Sequence, residues 1–263
     1  MYRKILKKLE AEKNVKVDEE FQIINREALK NNIKIRKIEM PNIKMIGQMA
    51  FYCCSSLRNV VCPEVMVILE EAFCGCSNLK TIILPKMMFV MEKGVFSKCI
   101  RLESVVFESN VHLTVIPPRA FFECKKMNTL VFPKNIKTIE REAFLKCESL
   151  REISLPKGLK RIEQKGFYQC GLTTLELPEG LEFIGESAFL KCKNLEYIKI
   201  PESVKVLQKW AFHGCNKLKV LEIHHEPEYV GEWLTNKSCV IRCPKGSKMV
   251  EYAKQYDIAV EEI

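Results

Sequence analysis

The sequence predicts an α/β solenoid: a right-handed, β-rich superhelix of about eight coils of 22–25 residues, with a parallel concave sheet and helical terminal caps. Three observations predict it. A phenylalanine followed three residues later by a cysteine recurs at one period. A set of leucine and isoleucine positions keeps the same frame. Proline closes most of the units.

The first observation is the motif small-Phe-x-x-Cys. It occurs at Phe51/Cys54, Phe73/Cys76, Phe96/Cys99, Phe121/Cys124, Phe144/Cys147, Phe167/Cys170, Phe189/Cys192 and Phe212/Cys215. The phenylalanines are 22, 23, 25, 23, 23, 22 and 23 residues apart. The second follows each cysteine at fixed offsets. Three residues on come Leu57, Leu79, Leu102, Met127, Leu150, Leu195 and Leu218, with Leu172 one residue early. Then come Val60, Ile82, Val105, Leu130, Ile153, Leu175, Ile198 and Leu221. Two further on lie Cys62, Leu84, Phe107, Phe132, Leu155, Leu177, Ile200 and Ile223. Pro63, Pro85, Pro133, Pro156, Pro178 and Pro201 supply the third.

The physics of each piece follows from its spacing. Leu-x-x-Ile-x-Leu ends in period-two alternation, a strand with one buried face. Proline after it lacks an N–H and stops the ladder. The next apolar pair, such as Ile136 and Ile139, crosses the opposite wall. Ala-Phe-x-x-Cys is then expected to make a short helical or 3₁₀ turn back to the next strand. One coil buries little alone, and stacked coils complete each other's core. Eight coils at ~4.8 Å give an array about 40 Å long.

The unit resembles the BspA-like leucine-rich repeats, which read roughly Ile-x-x-x-Ala-Phe-x-x-Cys-x-x-Leu-x-x-Ile-x-Leu-Pro. The copy from Ile139 to Pro156 matches at every fixed position. The resemblance covers about residues 33–224. It implies a leucine-rich-repeat fold among varied surface, adhesion and intracellular proteins.

The ends are expected to close the array, because an uncapped solenoid exposes its terminal core. Residues 1–32 read as a helical N-terminal cap built on Ile5, Leu6 and Leu9, then Phe21, Ile23, Ile24 and Leu29. The solenoid runs over 33–236, starting with a degenerate coil at Ile33–Met40. Residues 237–263 read as a strand–helix cap: a strand over Val240–Pro244, then Ser247 as N-cap of a helix over Lys248–Tyr256. Met249, Tyr252 and Ala253 face the core, and Ile258, Val260 and Ile263 form a last extended piece. A bulge is expected near Ser109–His112, where the longest repeat has its extra residues.

Composition narrows the function classes. No apolar run approaches the ~20 residues of a membrane-spanning helix. The N-terminal stretch has no secretory signal pattern, so a cytoplasmic protein with reduced thiols is expected. The Asn236-Lys237-Ser238 sequon is then chance. Net charge is +9, but Lys and Glu are interspersed along the chain. A solvated surface accounts for this better than a nucleic-acid patch.

The eight repeat cysteines read as a ladder of buried thiols acting as small hydrophobes, with Cys62 also in the core. Cys53 and Cys74 are expected to be more exposed. His224, His225, Cys239 and Cys243 are the one set of conceivable zinc ligands, but no Cys-x-x-Cys occurs and Cys243 falls on a core position. No metal and no cofactor are expected. Phosphate loops, His-Glu-x-x-His and nucleophile elbows are missing, and Glu70-Glu71, His112 and His213 read as surface turn residues. The chain therefore reads as a non-enzymatic binder.

The candidate binding surface is the outward side of the strands. One column runs Val61, Ile83, Val106, Val131, Ser154, Glu176, Lys199 and Glu222. Its first four members are apolar on consecutive coils. The sequence predicts a binding stripe of Val61, Ile83, Val106 and Val131, flanked by Thr81 and Thr129 and edged by Arg58 and Lys80. β-Propensity would also put Val and Ile there. A protein partner, or a second copy of the chain, suits such a stripe. An adhesion module and an anionic-surface binder are the alternatives.

Overall fold

The computed structural model describes residues 12–85, 87–108 and 112–263. The chain winds through about eleven coils, more than the eight expected. Most carry a front strand of three or four residues and a two-residue back strand. All pairings are parallel.

The extra coils lie at the ends, and the first corrects the sequence reading. Within the described part of 1–32 there is no helical cap. Asn14–Lys16 pairs with Lys37–Glu39, and Ile23–Ile24 pairs with Met45–Ile46. Leu29 takes the place of the phenylalanine: its N–H donates to Ala50 O at 2.8 Å, as the phenylalanines do further along. Asn32 replaces the cysteine, and its Oδ1 accepts from the N–H groups of Lys34 and Ile35. Ile24 and Leu29 thus belong to a coil whose two signature residues are changed. Ile5, Leu6 and Leu9 lie outside the described residues, as does most of the Ser109–His112 bulge.

At the other end Val240–Cys243 and Ala259–Glu262 extend the front sheet, joined by the helix Lys248–Gln255. The helix buries Met249, Val250 and Ala253. Ser247 sits at its N-cap, but the side chain makes no capping bond. Tyr252 anchors the helix to the array, its hydroxyl accepting from Leu234 N–H and donating to Gly231 O at 2.8 Å.

The third wall also differs from expectation. Ala-Phe-x-x-Cys is not a helical turn. In a helix the N–H groups point along the axis and bond to carbonyls four residues back in the same chain. Here alternate N–H groups leave the coil. Glu142, Phe144 and Lys146 donate to Gln164, Gly166 and Tyr168 of the next coil at 2.8–3.0 Å. The N–H groups between them bond within the coil, Leu145 to Glu142 O and Cys147 to Phe144 O. Alternation requires the residues two before and two after the phenylalanine to be left-handed, as Glu142 (φ 58°) and Lys146 (φ 60°) are. That conformation costs a non-glycine residue about 1–2 kcal/mol. The inter-coil hydrogen bonds offset the cost and make this wall a third ladder.

The phenylalanines stack face to face from Phe51 to Phe212, with centroids 5.0–5.7 Å apart. The widest step, Phe96 to Phe121, falls at the 25-residue repeat. All eight rings are fully buried. Each repeat cysteine then does more than fill space. The Cys147 thiol donates to Phe121 O at 3.3 Å and the Cys170 thiol to Phe144 O at 3.1 Å, and the pattern holds from Cys54 to Cys215. A small side chain with one weak donor suits that slot.

Candidate functional site

The front wall is less regular than the turn wall. Its ladder divides into three sheets: Asn14–Lys16 to Asn59–Val61, Thr81–Leu84 to Thr129–Val131, and Tyr197–Ile200 to Ala259–Glu262. Inward positions alternate with outward ones, as in Thr81–Leu84, where Ile82 and Leu84 are buried and Thr81 and Ile83 exposed. Pleating alone produces this, because successive side chains point to opposite faces.

The proposed stripe lies on the outward side. Val61 is 46% exposed, Ile83 56%, Val106 44% and Val131 65%. Ile83 is in register with Val106, and Val106 with Val131. Arg58, Lys80, Thr81 and Thr129 are all exposed beside them. The Thr129 hydroxyl donates to Asn128 Oδ1 at 3.0 Å. The predicted residues therefore share one surface, an apolar column with a threonine column beside it.

The same column changes character toward the C-terminus. Ser154, Glu176 and Lys199 are exposed and polar. Glu222 gathers a charged cluster: the Tyr197 hydroxyl donates to it at 2.9 Å, Arg242 at 3.3 Å, and His224 Nε2 lies 3.0 Å away. Burial raises the Glu222 carboxyl, but hydrogen bonds from Tyr197 and Arg242 with the nearby cations leave it below its ordinary value. Arg242 also bridges to Glu261.

The conceivable zinc ligands are not brought together. His224 turns to Glu222, while His225 Nε2 lies 2.7 Å from Val204 O. Cys239 and Cys243 are buried in the last coils. Among the described residues no three histidine, cysteine or acidic side chains converge on a metal-sized site. All thirteen cysteines are free. Burial pushes the Cys54 and Cys62 thiols up to about 12, and others in the ladder well above their ordinary value. Cys53 is half-buried as expected, whereas Cys74 is buried beside Ser97. His213 is half-buried at its turn, its Nδ1 3.4 Å from Thr235 O. No described helix is long and apolar enough to cross a membrane.

Stacked parallel coils of this length, with a leucine ladder and parallel strand walls, define a leucine-rich-repeat protein. The pattern of the BspA type leucine rich repeat region matches residues 3–114 and 114–240, in six copies. The chain belongs to that family. A leucine-rich repeat protein from Bacteroides ovatus is similar in structure, with TM-score 0.52 and 22% identity over 95% of this chain and 84% of that one. The pneumococcal vaccine antigen PcpA is similar as well, with TM-score 0.57 and 19% identity over 95% of this chain and 80% of that one. At these identities the likeness is one of fold. No curated protein is significantly similar in sequence.

Proposed function

We propose that the chain is a non-enzymatic scaffold that binds a protein partner through the front-wall column Val61, Ile83, Val106 and Val131. The observation that supports this is the exposure of four β-branched side chains on successive coils, next to small Thr81 and Thr129. An exposed apolar column on a rigid array is a ready contact surface. Arg58 and Lys80 at its edge supply charge for orientation rather than bulk affinity.

The test is affinity capture from native lysate with the wild-type chain and with Ile83→Glu combined with Val106→Glu. The reading expects the variant to lose the bound protein while keeping its far-ultraviolet circular dichroism. Undiminished capture by the variant removes the stripe from the account.

A second reading is contact with another cell from the surface. It is favoured by the similarity in fold to a pneumococcal antigen. Fractionation of the source cells separates the two: a cytoplasmic pool supports the first, and protease-accessible protein on intact cells supports the second.

A further inference from the structure

Two front-wall segments keep the strand pattern but not the strand pairing. They are Arg151-Glu-Ile-Ser-Leu-Pro156 and Thr173-Thr-Leu-Glu-Leu-Pro178. Neither belongs to any of the three front sheets. Among the described residues, the backbone bond between these two segments is Thr173 N–H to Arg151 O at 2.9 Å. No backbone bond joins 151–156 to Thr129–Val131, or 173–178 to Tyr197–Ile200.

The opening is confined to this wall. On the back wall of the same coils, Arg161–Ile162 is paired on both sides. The Phe144, Phe167 and Phe189 rings are 5.0 and 5.4 Å apart. The corner into the second segment is one residue short, Cys170-Gly171-Leu172. It draws Gly171 so near Glu148 that a Cβ would lie 2.2 Å from the carbonyl oxygen. A shortened corner shifts where the following strand starts against its neighbours, and pairing ends after its first bond.

The result is a cleft of about 750 Å³ lined by Glu152–Leu155, Lys157 and Thr174–Gly180. Its floor is partly apolar. Ile153 and Leu155 are half-buried, whereas their counterparts Ile198 and Ile200 are fully buried. Its walls are strand backbone with unused donors and acceptors, which carry a lasting demand for hydrogen bonds. Its rim holds Glu152, Glu176 and Glu179, which make no ion pair among the described residues, and the lining residues set only Lys157 against them. The site is therefore acidic on a chain of net charge +9.

We propose that this cleft binds an extended, lysine- or arginine-bearing segment of another protein, held by main-chain hydrogen bonds as an added strand. Backbone pairing supplies the affinity in such addition, and alternate side chains supply the choice of partner. Here the alternate side chains face Glu152 and Glu176 outward and Ile153 and Leu155 inward. The site goes beyond the apolar stripe, which lies on other coils.

The test is a fluorescence-anisotropy titration of the full chain with a labelled peptide of alternating lysine and valine. Saturable binding is expected. N-methylation of alternate peptide amides, which removes strand pairing and keeps the charge, should weaken it by about tenfold or more. Glu152→Lys with Glu176→Lys should weaken it by about tenfold, and both positions are exposed, so the fold is kept. Ile83→Glu with Val106→Glu should leave it unchanged, which separates this site from the stripe. Equal binding of the N-methylated peptide, equal binding of a threonine–valine peptide, or no saturable binding overturns the proposal.

Discussion

The turn wall and the front wall are built from the same coils, yet one is continuous and the other is broken. From Phe51 to Phe212 every ring meets the next, and every phenylalanine N–H crosses to the following coil at 2.8–2.9 Å. The front wall falls into three sheets over the same span. The turn wall repeats its residues, Phe on Phe and Cys on Cys, so each coil offers the same shape to its neighbours. The front wall varies outward, from valine and isoleucine to serine, glutamate and lysine. Stability is concentrated where the sequence repeats, and the outward positions are free to vary.

Four experiments set repeated positions against variable ones. The largest effect is expected from alkali, because it acts on many turn-wall thiols at once. Burial raises the thiols of Cys54, Cys76, Cys99, Cys124, Cys147 and Cys192 above their ordinary value, Cys54 to about 12. Folded thiols then keep their protons where unfolded ones lose them. Stability is full below about pH 9 and falls as pH climbs from there toward 12. Urea melts at pH 7.5 and at higher pH should show the loss; a flat profile would mean the thiols are not buried.

Next is Phe144→Ala, which leaves a void within the ring stack and should cost ~3–5 kcal/mol in a chemical melt. A cost below ~1 kcal/mol would place Phe144 outside a packed core. Cys147→Val keeps an apolar side chain but removes the donor to Phe121 O, and should cost about 1 kcal/mol. The smallest is Glu148→Ala, an exposed residue whose ion pair with Lys125 spans 3.9 Å, expected within ~0.5 kcal/mol. If Glu148→Ala matched Phe144→Ala, the division of labour between repeated and variable positions would fail.

The fold was legible because the repeat writes its core in few letters. Phe, Cys, Leu and Ile at fixed offsets predict the buried set, and nearly all of them are buried. The stripe was legible for the complementary reason: period-two alternation says which residues point outward, and Val61, Ile83, Val106 and Val131 do. The first coil was missed because Leu29 and Asn32 carry the roles of Phe and Cys with different atoms. Val15, Ile24 and Leu29 kept the frame and were the available signal. The turn geometry left no trace, because its left-handed positions hold residues as different as Glu142, Lys165, Ser187 and Trp210. Backbone bonds between coils fix them, and side-chain identity does not. The front-wall opening had one written sign, the early Leu172 beside Gly171.

Native-state hydrogen exchange compares the two walls amide by amide. The account predicts that the amides of Phe121, Phe144, Phe167 and Phe189 exchange slowly, at rates set by opening of the whole array, while those of Glu152–Leu155 and Thr174–Leu177 exchange fast. Equal protection along both walls of these coils would contradict it.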